Sequence, residues 1–168
     1  MKPRLTLRNP EPEDQAEFLE LARASRALHS PWITAPSTPE QYAAYMLRIR
    51  EPMNHGFLVC KADTGTIVGV VNISNIVLGA FFHSGYLSYY AFAGHERQGL
   101  MRAGLILVIR HAFKRLKLHR LEANIQPTNA ASIALVKSCG FNKEGYSPRY
   151  LKIGGRWRDH ERWAILAS

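Results

Sequence analysis

The chain is 168 residues long, 46% hydrophobic and 21% charged, with a formal net charge of +9. That length suits one domain with a full core, and the balance excludes a disordered, collagen-like or disulfide-stapled chain. The longest apolar run, Ala103 to Ile109, is too short to span a bilayer and stops at Arg110, which excludes a membrane-spanning helix. In chain order, Leu5–Arg8 alternates and reads as a strand. Pro12-Glu13-Asp14 opens a helix to about Arg26, with acids where the positive dipole end favours them. His29–Pro39, rich in Pro, Ser and Thr around Trp32, reads as an ordered loop. A second helix follows from Thr38-Pro39-Glu40 to about Arg50, with Thr38 as N-cap. Strands are expected at Phe57–Cys60 and Ile67–Val77, joined by a turn at Asp63-Thr64-Gly65, and again at Gly85–Phe92. A long helix spans about Gly99 to Leu116, with Met101, Leu105, Val108, Ile109, Ala112 and Leu116 on one face. Arg120–Ile125 reads as a strand, Ala130–Cys139 as a short helix, and Glu144–Leu166 as two strands turning at Gly154-Gly155. The helical crossover between Gly85–Phe92 and Arg120–Ile125 makes those strands parallel. The expectation is one α/β-type domain over residues 1–168, a mixed sheet flanked by helices.

The positive charge is uneven. After residue 50, fifteen Lys/Arg face seven Asp/Glu, and Arg110–Arg120 holds five basic residues and no acid. Such a field favours anionic partners: coenzyme phosphates, ribosomal RNA or an acidic protein surface. A solvated helix face with cations near its C-terminus explains the same residues, and no zinc-finger or RNA-recognition signature accompanies them. Cys60 and Cys139 stand far apart, and the opening MKPRLTLRNPEPED has no apolar h-region. A reduced, cytoplasmic protein without signal peptide is expected. The seven histidines make no ligand-spaced cluster, so no metal is expected.

Two short stretches carry chemistry. In Glu96-Arg97-Gln98-Gly99-Leu100-Met101-Arg102, a glycine-bearing turn leads from strand to helix, with no acid in the helix's first turn. Such a junction presents unpaired N–H groups and a positive dipole end to an anion, and two guanidinium groups flank it. A glycine there is also ordinary turn chemistry. About thirty residues on, Asn129-Ala-Ala-Ser132 precedes Leu135 and Gly140-Phe141. Asn129 is a favoured N-cap and Gly140 its matching helix stop.

Together these stretches resemble the coenzyme A site of the GNAT N-acetyltransferases, whose patterns are R/Q-x-x-G-x-G/A and N-x-x-S/A-x-x-L-x-x-x-G-F. Glu96 stands where Arg or Gln is usual, and Met101 at the second small position. Val70–Val77, Tyr86-Leu87, Gly99-Leu100-Met101, and Glu144-Gly145-Tyr146 through Gly155–His160 are similar to the RimJ-type alanine acetyltransferases of bacterial ribosomal proteins. That likeness covers about residues 66–162. It implies a mostly antiparallel mixed sheet whose one parallel strand pair splays apart around acetyl-CoA. Arg97, Gln98, Gly99, Leu100, Met101 and Arg102 would hold the diphosphate. The N–H groups of Tyr90, Ala91 and Phe92 would meet the pantetheine and thioester, Asn129 the pantetheine amides, and Ser132 the leaving sulfur.

The resemblance also implies direct attack of an amine on acetyl-CoA in a ternary complex. The acceptor would be a protein N-terminus, with ribosome association through the basic surface. A small-molecule amine or antibiotic is the alternative acceptor, and a non-catalytic RNA- or protein-binding module the third reading. No general base stands out; Glu122, Glu144 and His160 are the candidates, and Trp32 can line the acceptor groove.

Overall fold

In the computed structural model, which describes residues 4–168, seven strands hydrogen-bond into one sheet. Met1–Pro3, the start of the segment read for a signal peptide, lie outside the described residues. The strands are β1 (Leu5–Arg8), β2 (His55–Lys61), β3 (Ile67–Leu78), β4 (His83–Ala91), β5 (Arg120–Ile125), β6 (Asn142–Ile153) and β7 (Arg156–Leu166). Their order across the sheet is β1-β2-β3-β4-β5-β7-β6. Only β4 and β5 run parallel. The crossover between them is a helix, α4 (Leu100–Lys114), as a parallel connection requires.

Helices α1 (Gln15–Ala24), α2 (Arg26–His29) and α3 (Pro39–Ile49) lie between β1 and β2, and α5 (Ala130–Ser138) follows β5. A separate core lies on each face. On one, α4 and α5 bury Leu105, Val108 and Val136 against Val71, Leu121 and Trp163. On the other, α1 and α3 bury Phe18, Tyr42 and Tyr45 against Leu58, Val70 and Phe92. Thr38 caps α3, its side chain accepting from Gln41 N at 3.3 Å. Arg8 clasps Asp14 through two 2.7 Å bonds, which ties β1 to the start of α1.

The first expected helix is broken in the structure. A 3-10 turn covers Pro12–Asp14, α1 ends at Ala24, and a single turn, α2, follows Ser25. Ser25 causes the break: its Oγ donates back to Leu21 O at 2.6 Å and accepts from Ala93 N at 2.8 Å. Back-bonding of this kind competes with the helix ladder. It also carries His29, expected in a loop, into the core beside β4, where it is buried.

Candidate active site

β4 and β5 pair only at Ser84↔Arg120, Gly85↔Leu121 and Tyr86↔Glu122. Beyond Tyr86 they part. β4 stays bound to β3 as far as Ala91, so the opening lies on its β5 side. Antiparallel residues alternate in the direction of their backbone bonds. Phe92 N donates to Val68 O at 3.0 Å, so Tyr90 also faces β3, whereas Tyr89 and Ala91 turn their N–H groups into the opening. Tyr90, Ala91 and Phe92 were expected to supply free donors; only Ala91 does so, and Tyr89 is the second. Phe92 is wholly buried against Phe18 and leaves the site altogether. Tyr90 contributes its ring, edge-on to His29 at 5.0 Å.

The turn before α4 has the backbone of an anion nest. Arg97 (φ 59°) and Gly99 (φ 73°) both lie in the left-handed region, a winding that gathers successive N–H groups on one concave side. A side chain at Gly99 would meet nothing within 4 Å, so its backbone angle, not space, calls for glycine. Leu100 and Met101 begin the helix and are buried, while Arg97 and Arg102 stay exposed at the rim. Gln98 turns its amide onto Gly94 O at 2.9 Å, closing the turn rather than facing the site. The exposed Glu96 carboxyl is held below its ordinary range by the N–H of its own residue, then those of Gly94 and His95. The bulk of Met101 is accommodated by Gly69 on β3, where any Cβ would collide with the Met101 thioether.

Asn129 caps α5, its Oδ1 accepting from Ser132 N at 3.2 Å. Its amide nitrogen has no protein partner among the described residues and stays free to donate. One turn in, Ser132 Oγ lies 2.6 Å from Tyr89 Oη. Burial pushes the Tyr89 phenol well above its ordinary value, with the Ser132 bond opposing weakly. Tyr89 therefore remains a neutral donor.

These groups line one continuous cleft of about 810 Å³ that passes between the splayed strands. Asn129, Ser132 and Tyr89 bound it on the helix side, and Trp32, Asn124 and His160 are also on its wall. Asn124 Oδ1 is buried there without a protein partner. A second cavity of about 490 Å³ opens on the α3 side and shares Ile33, Ser88, Tyr89 and Tyr90 with the first.

Of the three candidate bases, Glu122 and Glu144 are both bound to Arg120 and outside the cleft. His160 is on the cleft wall, its Nδ1 bonded to Arg158 O at 2.9 Å. Among the described residues no group of acidic, cysteine or histidine side chains is arranged to hold a metal ion.

Residues 4–142 match the family model "Acetyltransferase (GNAT) domain". The chain belongs to the GNAT acetyltransferase family. It is 42% identical over 103 residues to the Escherichia coli [ribosomal protein uS5]-alanine N-acetyltransferase, covering 61% of this chain and 53% of that one. Its fold is similar to Mycobacterium smegmatis RimJ in complex with CoA-disulfide, at TM-score 0.87 and 29% identity, over 97% of this chain and 82% of that one. Spermidine N-acetyltransferase from Vibrio cholerae, in complex with CoA and spermine, shares the fold at TM-score 0.80 and 24% identity, over 96% and 95% of the two chains.

The protein is thus an acetyl-CoA-dependent N-acetyltransferase of the GNAT family, with acetyl-CoA as cosubstrate. The cleft fits that molecule: an anion nest at one end, free backbone donors along its length, and a hydroxyl pair near the middle. Sequence reasoning missed Tyr89, Ser88 and Asn124. Strand alternation points to Tyr89, because a residue an odd number of places from Phe92 faces α4 and α5 instead of α1 and α3. No local pattern singles out Asn124.

Proposed function

We propose that the enzyme acetylates the N-terminal α-amine of a protein. The observation that carries this reading is the acceptor-side cavity. Its charged lining residues among those described are Arg48 and Lys152, with no carboxylate. A polyamine is a poor guest for two cations, so the spermidine enzyme, which shares the fold at 24% identity, is a weaker guide to the acceptor than the alanine acetyltransferase.

The chemistry is light. The amine nitrogen attacks the thioester carbonyl; a C–N bond forms, the C–S bond breaks, and one proton leaves the nitrogen. N–H groups of Tyr89 and Ala91 are placed to stabilise the developing oxyanion. Ser132, held by Tyr89, donates a hydrogen bond to the departing sulfur. A free thiolate has a pKa of about 8.5, so full protonation by the protein is unnecessary. His160, on the cleft wall with its Nδ1 held by Arg158 O, takes the amine's proton at Nε2. An α-amine has a pKa of about 7.7–8.0 against about 10.4 for lysine, which suits a site with so little basic machinery. The Arg97, Gly99, Leu100, Met101 and Arg102 turn holds the diphosphate, and Asn129 holds the pantetheine.

A ribosomal protein is the proposed acceptor, in line with the uS5-alanine acetyltransferase relative. Arg110, Lys114, Arg115 and Lys117 are exposed and form a basic surface for its RNA context, whereas Arg120 is spent on Glu122 and Glu144. The test is thiol release from acetyl-CoA with peptides beginning Ala or Ser, beside spermidine and aminoglycosides. Turnover on peptides alone is expected. Tight acetyl-CoA binding with turnover only on the small amines would overturn the reading.

A further inference from the structure

Among the described residues, the charged side chains lining the acceptor-side cavity are both cations, Arg48 and Lys152. Tyr45 Oη donates to Asn72 Oδ1 at 2.7 Å, which fixes the amide's orientation and leaves its N–H groups for the cavity. Asn72 is buried and its nitrogen has no protein partner among the described residues. Arg48 sits 5.6 Å from the centre of the Tyr45 ring, which anchors the guanidinium at the cavity wall. Lys152, on β6 close to the β6–β7 turn at Gly154, brings an ammonium to the same cavity. Ser88 adds a hydroxyl from β4. Two cations, a primary amide and a hydroxyl, with no carboxylate among the lining residues described, form a receptor for an anion.

The cavity borders the cleft, sharing Ile33, Ser88, Tyr89 and Tyr90 with it. A group seated there lies within reach of the amine that enters the splay between β4 and β5, and can be part of the same acceptor. Extended chain advances about 3.3–3.6 Å per residue, so the side chain in this cavity belongs to one of the first residues after the α-amine. We infer that the enzyme selects acceptors with a carboxylate close to the reacting amine, namely N-termini whose second or third residue is Asp or Glu. This inference rests on the proposed α-amine acceptor and adds the character of the residues that follow it. The same carboxylate chemistry is offered by a free amino acid, which the test separates.

The experiment measures kcat/KM on matched peptides beginning with Ala, with Glu, Gln or Lys at the second or at the third position. Free alanine and free aspartate are run alongside. At one of the two positions the Glu peptide is expected to exceed Gln by about tenfold and Lys by more, since each tenfold is about 1.4 kcal/mol and two partly exposed charge contacts supply that much. The Glu-to-Gln ratio should shrink with added salt, and should approach one in Arg48→Gln and in Lys152→Gln. Lys152→Glu should move the preference toward the Lys peptide. Ratios are taken within each variant, so a loss of folded protein does not imitate the result. Equal rates on Glu and Gln peptides at both positions overturn the inference while leaving the α-amine reading intact. Turnover of free aspartate above every peptide keeps the carboxylate receptor and overturns the protein acceptor. No turnover on any of these acceptors overturns both.

Discussion

Tyr89 Oη and Ser132 Oγ meet at 2.6 Å on one wall of the cleft, joining the open strand β4 to the first turn of α5. A serine hydroxyl alone rotates freely; with Tyr89 as the donor, this contact fills one acceptor site of Ser132 and leaves its own proton to donate elsewhere. Ser132→Ala and Tyr89→Phe should each lower kcat by about tenfold, less than the ~10²–10⁴-fold of a full general acid because the thiolate needs little help to leave, with acetyl-CoA affinity changed far less. Because the two act as one unit, the double variant should lose little beyond either single variant. Losses that multiply instead would show that Tyr89 does not act through Ser132.

The left-handed angle of Gly99 costs a residue with a Cβ about 1–2 kcal/mol. With open space around it, Gly99→Ala will express that cost in the turn rather than in the core. Acetyl-CoA affinity should weaken by about tenfold, the equivalent of about 1.4 kcal/mol, with melting temperature nearly unchanged. Gly69→Ala should do the reverse. It pushes against Met101 and the Tyr90 carbonyl, and overpacking of that sort costs about 1–3 kcal/mol of stability. Calorimetric titration beside thermal melts separates the two.

Gly99 and Asn129 were legible in the sequence for the same reason: each is demanded by the backbone of a helix end, and that demand is local. The parallel pair β4 and β5 was legible because a helix must carry the chain between them. Phe92 was misassigned because its neighbours Tyr90 and Ala91 look equivalent in sequence; only the ladder bond to Val68 fixes which N–H groups are free. The break at Ser25 depends on Ala93, 68 residues away, and the Tyr45–Asn72 contact spans 27 residues. Pairings of that range leave no mark in a window of sequence.

Acid should destabilise the fold in two stages. Burial depresses His29 below its ordinary 6.5, with the Ala91 carbonyl, 2.7 Å from Nε2, opposing only in part. His55, His95 and His111 are lowered too, each chiefly by burial. A depressed folded value means the unfolded chain binds more protons, so stability is full above 6.5 and is lost as pH falls below it. Asp14, lowered first by its Arg8 bond, adds a second loss below its ordinary 3.8. Melting temperature should therefore decline from pH 7 to pH 5, and His29→Gln, which can still donate to Ala91, should decline less. A flat profile over that range would contradict the assignment.

Asn124 links stability to catalysis in the opposite sense. Its Oδ1 is buried on the cleft wall with no protein partner, an arrangement that costs about 1–3 kcal/mol in the free protein. On β5 it stands opposite Arg162, one residue along from the Ile125 that faces α4 and α5, which puts it on the acceptor side. There an unused acceptor is placed to take an N–H of the incoming amine, and His160 lies on the same wall to remove the proton. Asn124→Leu should raise the melting temperature and lower kcat/KM by about 10–100-fold, the equivalent of about 1.4–2.7 kcal/mol. His160→Gln should lower kcat by about 100-fold, the lower bound for a lost general base. Part of that loss should return above pH 8, where the α-amine sheds its proton unaided. If Asn124→Leu were both less stable and fully active, the orphaned oxygen would have no part in holding the acceptor.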